Sequence, residues 1–395
     1  MRGGPDLLLS FDFPPMGGGI ARFLGELALR YPPGRLLVST GQLDGGPESD
    51  ARFPNPVDRL SVPSRRLKTL AGLIRWSRRV TSLIQEYHAA FVWCGNIRPA
   101  AYPAKWAHER SGIPYGVLTY GSDLLTLRQN YLGSRVKRAA ARTLLGSAEA
   151  LVAISRWTHD QACLVLRELG LEQHTGRVRV VPLGTDPAAF KPGLDPARFR
   201  AAYGLPAGRW LVTVARLVPH KGIDTTVRAL GLLAAGYPDL RYAIVGQGSY
   251  QPSLRALARE AGVEERVHFL TGIADAELPL AYALADIYVG VSRQTSRDVE
   301  GFGISLLEAS ASGKPVVAGR SGGMADAVRD GETGLLVDPE DPADVARAIG
   351  ALLADAGRRA ALGAAGRRAV ERFYNWPRVV EALRAISSEA SAARR

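Results

Sequence analysis

The sequence predicts an α/β protein made of two parallel-sheet domains. Three observations carry that reading. Short apolar runs rich in β-branched residues alternate with stretches of helical spacing, the pattern of buried parallel strands joined by crossover helices. The alternation pauses at a Pro/Gly-rich stretch, Pro182-Leu183-Gly184-Thr185-Asp186 and then Phe190-Lys191-Pro192-Gly193, which reads as a hinge. It restarts at Trp210, and 395 residues with 46% hydrophobic content are enough for two to three domains with full cores.

In the first half, Leu7 to Phe13 reads as a strand, Pro14 to Gly19 (PPMGGG) as a loop and Ile20 to Arg30 as a helix. Leu36 to Thr40 is a second strand, followed by a polar loop from Gly41 to Pro56. Leu67 to Tyr87 has apolar residues at helical spacing, with Lys68, Arg75, Arg78 and Arg79 interleaved around Trp76. Two readings fit it equally: a basic amphipathic helix lying on an anionic membrane, and a core helix with a solvated face. Further strands are expected at Ala90 to Cys94, Tyr115 to Thr119, Leu151 to Ile154 and Val178 to Val181. Helices fill the gaps at Tyr102 to Ser111, Arg135 to Leu145 and Trp157 to Leu169.

In the second half, Trp210 to Ala215 is a strand, Arg216 to Gly222 its turn and Ile223 to Ala234 a helix. Tyr242 to Val245 is a strand ending in Gly246-Gln247-Gly248-Ser249, and Val267 to Leu270 is another. The most informative stretch follows the strand Ala285 to Ser292. After a polar loop comes Glu300-Gly301-Phe302-Gly303, then a helix from Ile304 to Ser312, a strand Lys314 to Gly319 and the turn Ser321-Gly322-Gly323. Glycines at a helix start let an anion approach free backbone N–H groups. Two carboxylates beside such a site, Glu300 and Glu308, suit hydrogen bonds from sugar hydroxyls, not contact with the anion itself. A glycine-rich turn carrying two solvated glutamates is the plainer alternative for this turn taken alone.

The order and spacing over roughly forty residues resemble the retaining nucleotide-sugar glycosyltransferases of family 4, the glycosyl transferases group 1. The resemblance rests on Glu300 and Glu308 with seven residues between them and Gly-Phe-Gly inside, then Gly-Lys-Pro-Val-Val, Gly-Gly and Asp330-Gly331-Glu332-Thr333-Gly334. It implies the GT-B fold: two Rossmann-like domains facing a central cleft, with a C-terminal helix crossing back to the first. The expected domains are 1–185 with 376–395, for the acceptor, and 186–375, for the nucleotide sugar. By the same resemblance Glu308 binds ribose and Glu300 the sugar. The backbone of Gly301, Phe302, Gly303 and Ile304 binds sugar and phosphate, and Arg216 and Lys221 clamp the diphosphate. Gly18 and Gly19 belong to the first strand-to-helix turn, Gly246 and Gly248 to a second glycine turn, and Leu270 with Thr271-Gly272 to the seat of the base. Tyr120 stands where relatives carry a sugar-contacting histidine. A tyrosine can hydrogen-bond a sugar but does not titrate near neutral pH, and plain packing is the other reading.

The expected activity is hexosyl transfer from a UDP- or GDP-sugar to a hydroxyl acceptor, with no metal required if the two cations neutralise the diphosphate. The net charge of +12 is concentrated: residues 65–142 hold fourteen Lys/Arg against three Asp/Glu. Such a field suits a lipid-linked acceptor at an anionic membrane surface, or a soluble anionic acceptor. The N-terminal apolar run is broken by Asp6 and Asp12, and no run reaches the ~18–20 residues of a span, so the expected place is the cytoplasm, with peripheral attachment to the inner face of the cell membrane as the finer reading. A nucleotide-sugar epimerase or phosphorylase would share the architecture and would show phosphate dependence or turnover without acceptor. A basic nucleic-acid-binding protein is the non-enzyme alternative; it lacks a stacking motif in 65–142 and predicts steep salt dependence. The six histidines and the two cysteines, Cys94 and Cys163, have no metal-ligand spacing.

Overall fold

The computed structural model describes residues 4–131 and 133–393. The chain folds as two compact units: the first runs to Leu183 and regains the segment from Trp376, the second is Gly184–Asn375.

Among the described residues unit 1 carries seven strands: β1 (Asp6–Leu9), β2 (Leu36–Gln42), β3 (Val57–Pro63), β4 (Phe91–Cys94), β5 (Tyr115–Thr119), β6 (Ala150–Ala153) and β7 (Val178–Val180). All pairs are parallel, in the order β3-β2-β1-β4-β5-β6-β7. The central strands are buried along their whole length, as continuous apolar runs such as Leu7-Leu8-Leu9 require. Two departures from the sequence reading have physical causes. The loop after β2 contains a short helix, Gly46–Asp50, and is followed by β3, an edge strand whose half-buried, mixed sequence has no apolar run to announce it. The first strand ends at Leu9, because Ser10 turns the chain with its hydroxyl bonded to the Asp12 backbone.

The basic helix begins at Leu70, capped by the Thr69 hydroxyl on the Gly72 N–H, 3.2 Å. Trp76 is fully buried among the core residues beneath the sheet, and its Nε1 donates to Ser39 Oγ, 3.0 Å. Trp76 is therefore part of the core and is not offered to a membrane surface. The exposed face of this region instead carries Leu70, 75% exposed, and Ile74 among Arg65, Arg66, Lys68, Arg75 and Arg78. The C-terminal helix Trp376–Ala392 belongs to unit 1: Trp376 packs on Phe23, ring centroids 5.9 Å apart, and Ser387 donates to Asp6 at 2.8 Å. Among the described residues no helix is long and apolar enough to cross a membrane.

Unit 2 carries six parallel strands: β8 (Arg209–Val214), β9 (Leu240–Val245), β10 (Val267–Leu270), β11 (Ile287–Gly290), β12 (Val316–Gly319) and β13 (Leu335–Val337). Their order is β10-β9-β8-β11-β12-β13. The chain moves outward from β8 to β10, then restarts on the other side with β11. The strand order therefore reverses between β8 and β11, and the carboxyl edge between them is the topological switch point at which such sheets bind ligands.

Candidate active site

Two loops of unit 2 meet at that switch point. The loop after β8 carries Arg216 and Lys221 and ends at Gly222, whose φ of 66° starts helix Ile223–Leu233. A Cβ at Gly222 would lie 2.0 Å from the Val291 carbonyl, so only glycine lets this loop press against the end of β11. Arg293 fastens the two loops: its N–H donates to the His220 carbonyl (2.8 Å) and its guanidinium binds Asp224 (2.9 Å) and Thr225 (3.1 Å). The outcome is a direct ion pair between Lys221 Nζ and Glu300 Oε2, both largely shielded from solvent. Burial alone would raise the Glu300 carboxyl, but the Lys221 ammonium, helped by His220 and Arg216, holds it below the usual carboxylate range. His220, buried next to Lys221, is pushed down by burial first and by that cation second. The Arg216 side chain is exposed and makes no hydrogen bond or ion pair among the described residues, while its carbonyl accepts from the Val218 N–H at 3.0 Å.

The structure thus joins two residues that the sequence reading assigned to separate tasks. Lys221 and Glu300 lie 79 positions apart and form one unit, with Arg216 contributing to the same field. The Gly301-Phe302-Gly303 turn leads into helix Ile304–Ala311, with Gly303 at φ 100° as its cap and no side-chain cap on the first-turn N–H groups. Phe302 is 1% exposed and packs its ring against Tyr374, so what it offers a ligand is backbone. Ser321-Gly322-Gly323, whose sequence reads as a second anion-type turn opening a helix, opens only the short helix Met324–Ala327. Its glycines brace the Glu300 loop: the Gly323 N–H donates to the Glu300 carbonyl at 2.9 Å, and a Cβ at Gly322 would fall 2.3 Å from that same oxygen.

Glu308 lies one turn further along the helix and is buried, 1% exposed. Tyr282 from helix Leu278–Leu284 donates its hydroxyl to Glu308 Oε2. Gly246, Gly248 and Leu270 have structural explanations. Added side chains at the two glycines would meet the carbonyls of Ala215 (2.0 Å) and Leu217 (2.2 Å), and the Leu270 carbonyl accepts from the Gly246 N–H at 2.9 Å. These contacts knit the loops after β8, β9 and β10 together beneath the exposed Thr271-Gly272.

Unit 1 has its own polar cluster at the carboxyl ends of β1, β4 and β5. Asn96 donates to Asp12 at 3.4 Å, and Lys68 sits over the Phe11 ring, 3.8 Å from its centroid. Burial raises the Asp12 carboxyl, against Lys68 and Asn96. Asp123 Oδ1 accepts from the N–H groups of Tyr120, Gly121 and Leu124 (3.0, 2.9 and 3.0 Å), yet burial pushes its pKa up to about 6. Tyr120 itself is buried, its hydroxyl donating to the Gly95 carbonyl at 2.8 Å and its ring edge-on to Phe23. Gly18 and Gly19 are exposed with nothing within 4 Å of a Cβ, and Gly18 at φ 118° caps helix Gly19–Arg30 without a side chain. From the sequence Lys68 reads only as one cation of the basic helix and Asp12 as a break in the N-terminal apolar run, and Asn96 and Asp123 are given no role; the signal for Asp12, Asn96 and Asp123 is their place just after strands.

The sequence profile described as glycosyl transferases group 1 matches residues 198–369. Over 377 residues the chain is 35% identical to a GDP-mannose-dependent alpha-(1-6)-phosphatidylinositol monomannoside mannosyltransferase of Mycolicibacterium smegmatis, covering 94% of each protein. The chain belongs to the glycosyl transferases group 1. This glycosyltransferase is also 32% identical, over 388 residues and 94% of each chain, to the protein of that same description from Mycobacterium tuberculosis. Its fold matches the Anabaena Alr3699/HepE structure in complex with UDP, TM-score 0.80 at 22% identity, covering 98% of this glycosyltransferase and all of that chain. A glycosyltransferase from Rickettsia africae matches at TM-score 0.81 and 18% identity over 99% of each chain. These likenesses show the GT-B architecture of two Rossmann-like domains.

Proposed function

We propose that the enzyme transfers a mannosyl group from GDP-mannose to a hydroxyl of a phosphatidylinositol-mannoside type of glycolipid, with retention at the anomeric carbon. The observation that carries the chemistry is the Arg216, Lys221 and Glu300 constellation at the switch point of unit 2. The names of the relatives aligned over nearly the whole chain support the choice of donor and acceptor.

In this reading Arg216 and Lys221 meet the diphosphate, and the backbone of Gly301 to Ile304 meets sugar and phosphate at the helix start. Glu300 orients Lys221 and accepts from a sugar hydroxyl. As the bond from the anomeric carbon to the diphosphate oxygen breaks, the acceptor oxygen bonds that carbon on the same face. The acceptor proton passes to the departing phosphate oxygen. Charge developing there is stabilised by the two fixed cations, so no metal is needed. Unit 1 recognises the acceptor; Gly18 and Gly19 leave its first turn open, and Tyr120 shapes the loop that Asp123 caps. Glu308 accepts from ribose.

The reading is tested by thermal stabilisation with a panel of GDP- and UDP-sugars, since a ligand that binds only the folded state raises Tm. GDP-mannose and GDP should give the largest shifts; stabilisation by UDP-sugars alone would overturn the donor assignment. Glu308→Ala should weaken GDP binding by about 1–3 kcal/mol, the cost of a lost hydrogen bond to a bound hydroxyl. Unchanged affinity by calorimetry removes the ribose role.

The acceptor reading predicts attachment to anionic membranes through the face bearing Leu70, Ile74 and the five exposed cations around them. Each such cation near an anionic leaflet contributes about 1 kcal/mol. The protein should co-sediment with anionic vesicles at low salt, not with neutral ones, and should be released at high salt; Leu70→Asp with Ile74→Asp should reduce binding. A protein that stays in the supernatant at low salt points to a soluble anionic acceptor instead.

A further inference from the structure

We propose that Tyr282 is a positioning residue for nucleoside recognition, holding the Glu308 carboxylate in the orientation and acceptor state that ribose hydroxyls require. The proposal rests on the ribose role given to Glu308 above. Tyr282 is fully buried in helix Leu278–Leu284 and its hydroxyl donates to Glu308 Oε2 from 26 residues away in sequence. A phenol keeps its proton at neutral pH, so a tyrosine in this position presents a donor, and Glu308 is kept as an acceptor. A glutamate headgroup turns freely about its last torsion, which is broad and has no sharp minima, so its orientation has to come from its partners.

The tyrosine is itself locked. Its ring stands edge-on to Phe190, centroids 5.4 Å apart at 88°, and lies against Tyr288 at 5.5 Å and 35°. Tyr288 is also buried, and its hydroxyl both donates to the Val214 carbonyl and accepts from the Val214 N–H, each at 3.3 Å. Val214 is the last residue of β8, two positions before Arg216. Two packed tyrosines therefore connect Glu308 to the strand end that carries the cation loop. This rigid support gives Glu308 a fixed geometry in a place where a buried carboxylate would otherwise be costly.

The test compares GDP with its 2′,3′-dideoxy analogue by calorimetry, with the UDP pair in parallel, on the full chain. The native enzyme should prefer the ribose form by at least about 10-fold, as expected for a hydrogen bond to a charged group. Tyr282→Phe should reduce that preference to under about threefold while the protein stays folded. Replacing Tyr282 by 4-aminophenylalanine, which keeps shape and a donor, should restore it; 4-fluorophenylalanine, which fills the hydroxyl's volume without a donor, should not. That isosteric pair serves if Tyr282→Phe does not fold. Glu308→Ala separates the two levels of the argument. If Glu308→Ala loses the preference and the Tyr282 variants keep it, Tyr282 has no positioning role. If Glu308→Ala keeps the preference, the ribose role falls and this inference falls with it.

Discussion

Lys221→Ala and Glu300→Gln should each lower kcat by at least ~10²-fold at saturating donor, and the double variant should be little worse than either alone. The size follows from removing a preorganised charge from the place where leaving-group charge develops. The lack of additivity follows from the ion pair: each side chain fixes the other, so losing one already disables its partner. Loss of Lys221 also leaves Glu300 a largely shielded carboxylate without its main counter-charge, and its pKa should rise. Lys221→Ala should therefore lose activity most where Glu300 becomes protonated, toward acid pH. Multiplicative losses in the double variant would show that the two residues act independently, as the sequence alone suggested.

Arg216→Ala should also lower kcat by at least ~10²-fold, but with a different stability signature. The Arg216 side chain is exposed and makes no hydrogen bond or ion pair among the described residues, so its removal should change folding stability by no more than about 0.5 kcal/mol. Arg216→Lys should recover only part of the rate, because an ammonium cannot make the two parallel hydrogen bonds of a guanidinium to phosphate. The measurement is kcat with and without added Mg²⁺, alongside Tm. Native activity that depends on Mg²⁺ would show that Arg216 and Lys221 do not suffice for the diphosphate.

Much of unit 2 was legible in the sequence because its signals are local. A buried strand, a glycine turn and a helix lie within one short stretch around Glu300, and glycine at 222 or 303 is demanded by a positive φ or a close backbone approach. What could not be read was contact between distant segments. Nothing in the sequence pairs Lys221 with Glu300, or Tyr282 with Glu308. The sequence marks the glycines at 246, 248, 322 and 323 only as turns; in the structure the backbone of neighbouring loops comes within 2.0 to 2.3 Å of a Cβ at 246, 248 and 322. Trp76 shows the limit of periodicity: helical spacing places a residue on a face, yet only packing against β2, through Ser39, shows that this face is the core. Strand β3 was missed for the converse reason, since an edge strand needs no continuous apolar run.

The stereochemistry of transfer is the most direct test of the central claim, that the cations and carboxylates of unit 2 drive a same-face displacement on a nucleotide sugar. The donor that stabilises the protein most strongly is incubated with acceptor, and the anomeric configuration of the first-formed glycoside is read by proton NMR. An α-configured donor should give an α-glycoside. A β-glycoside would mean attack from the opposite face and would contradict the account.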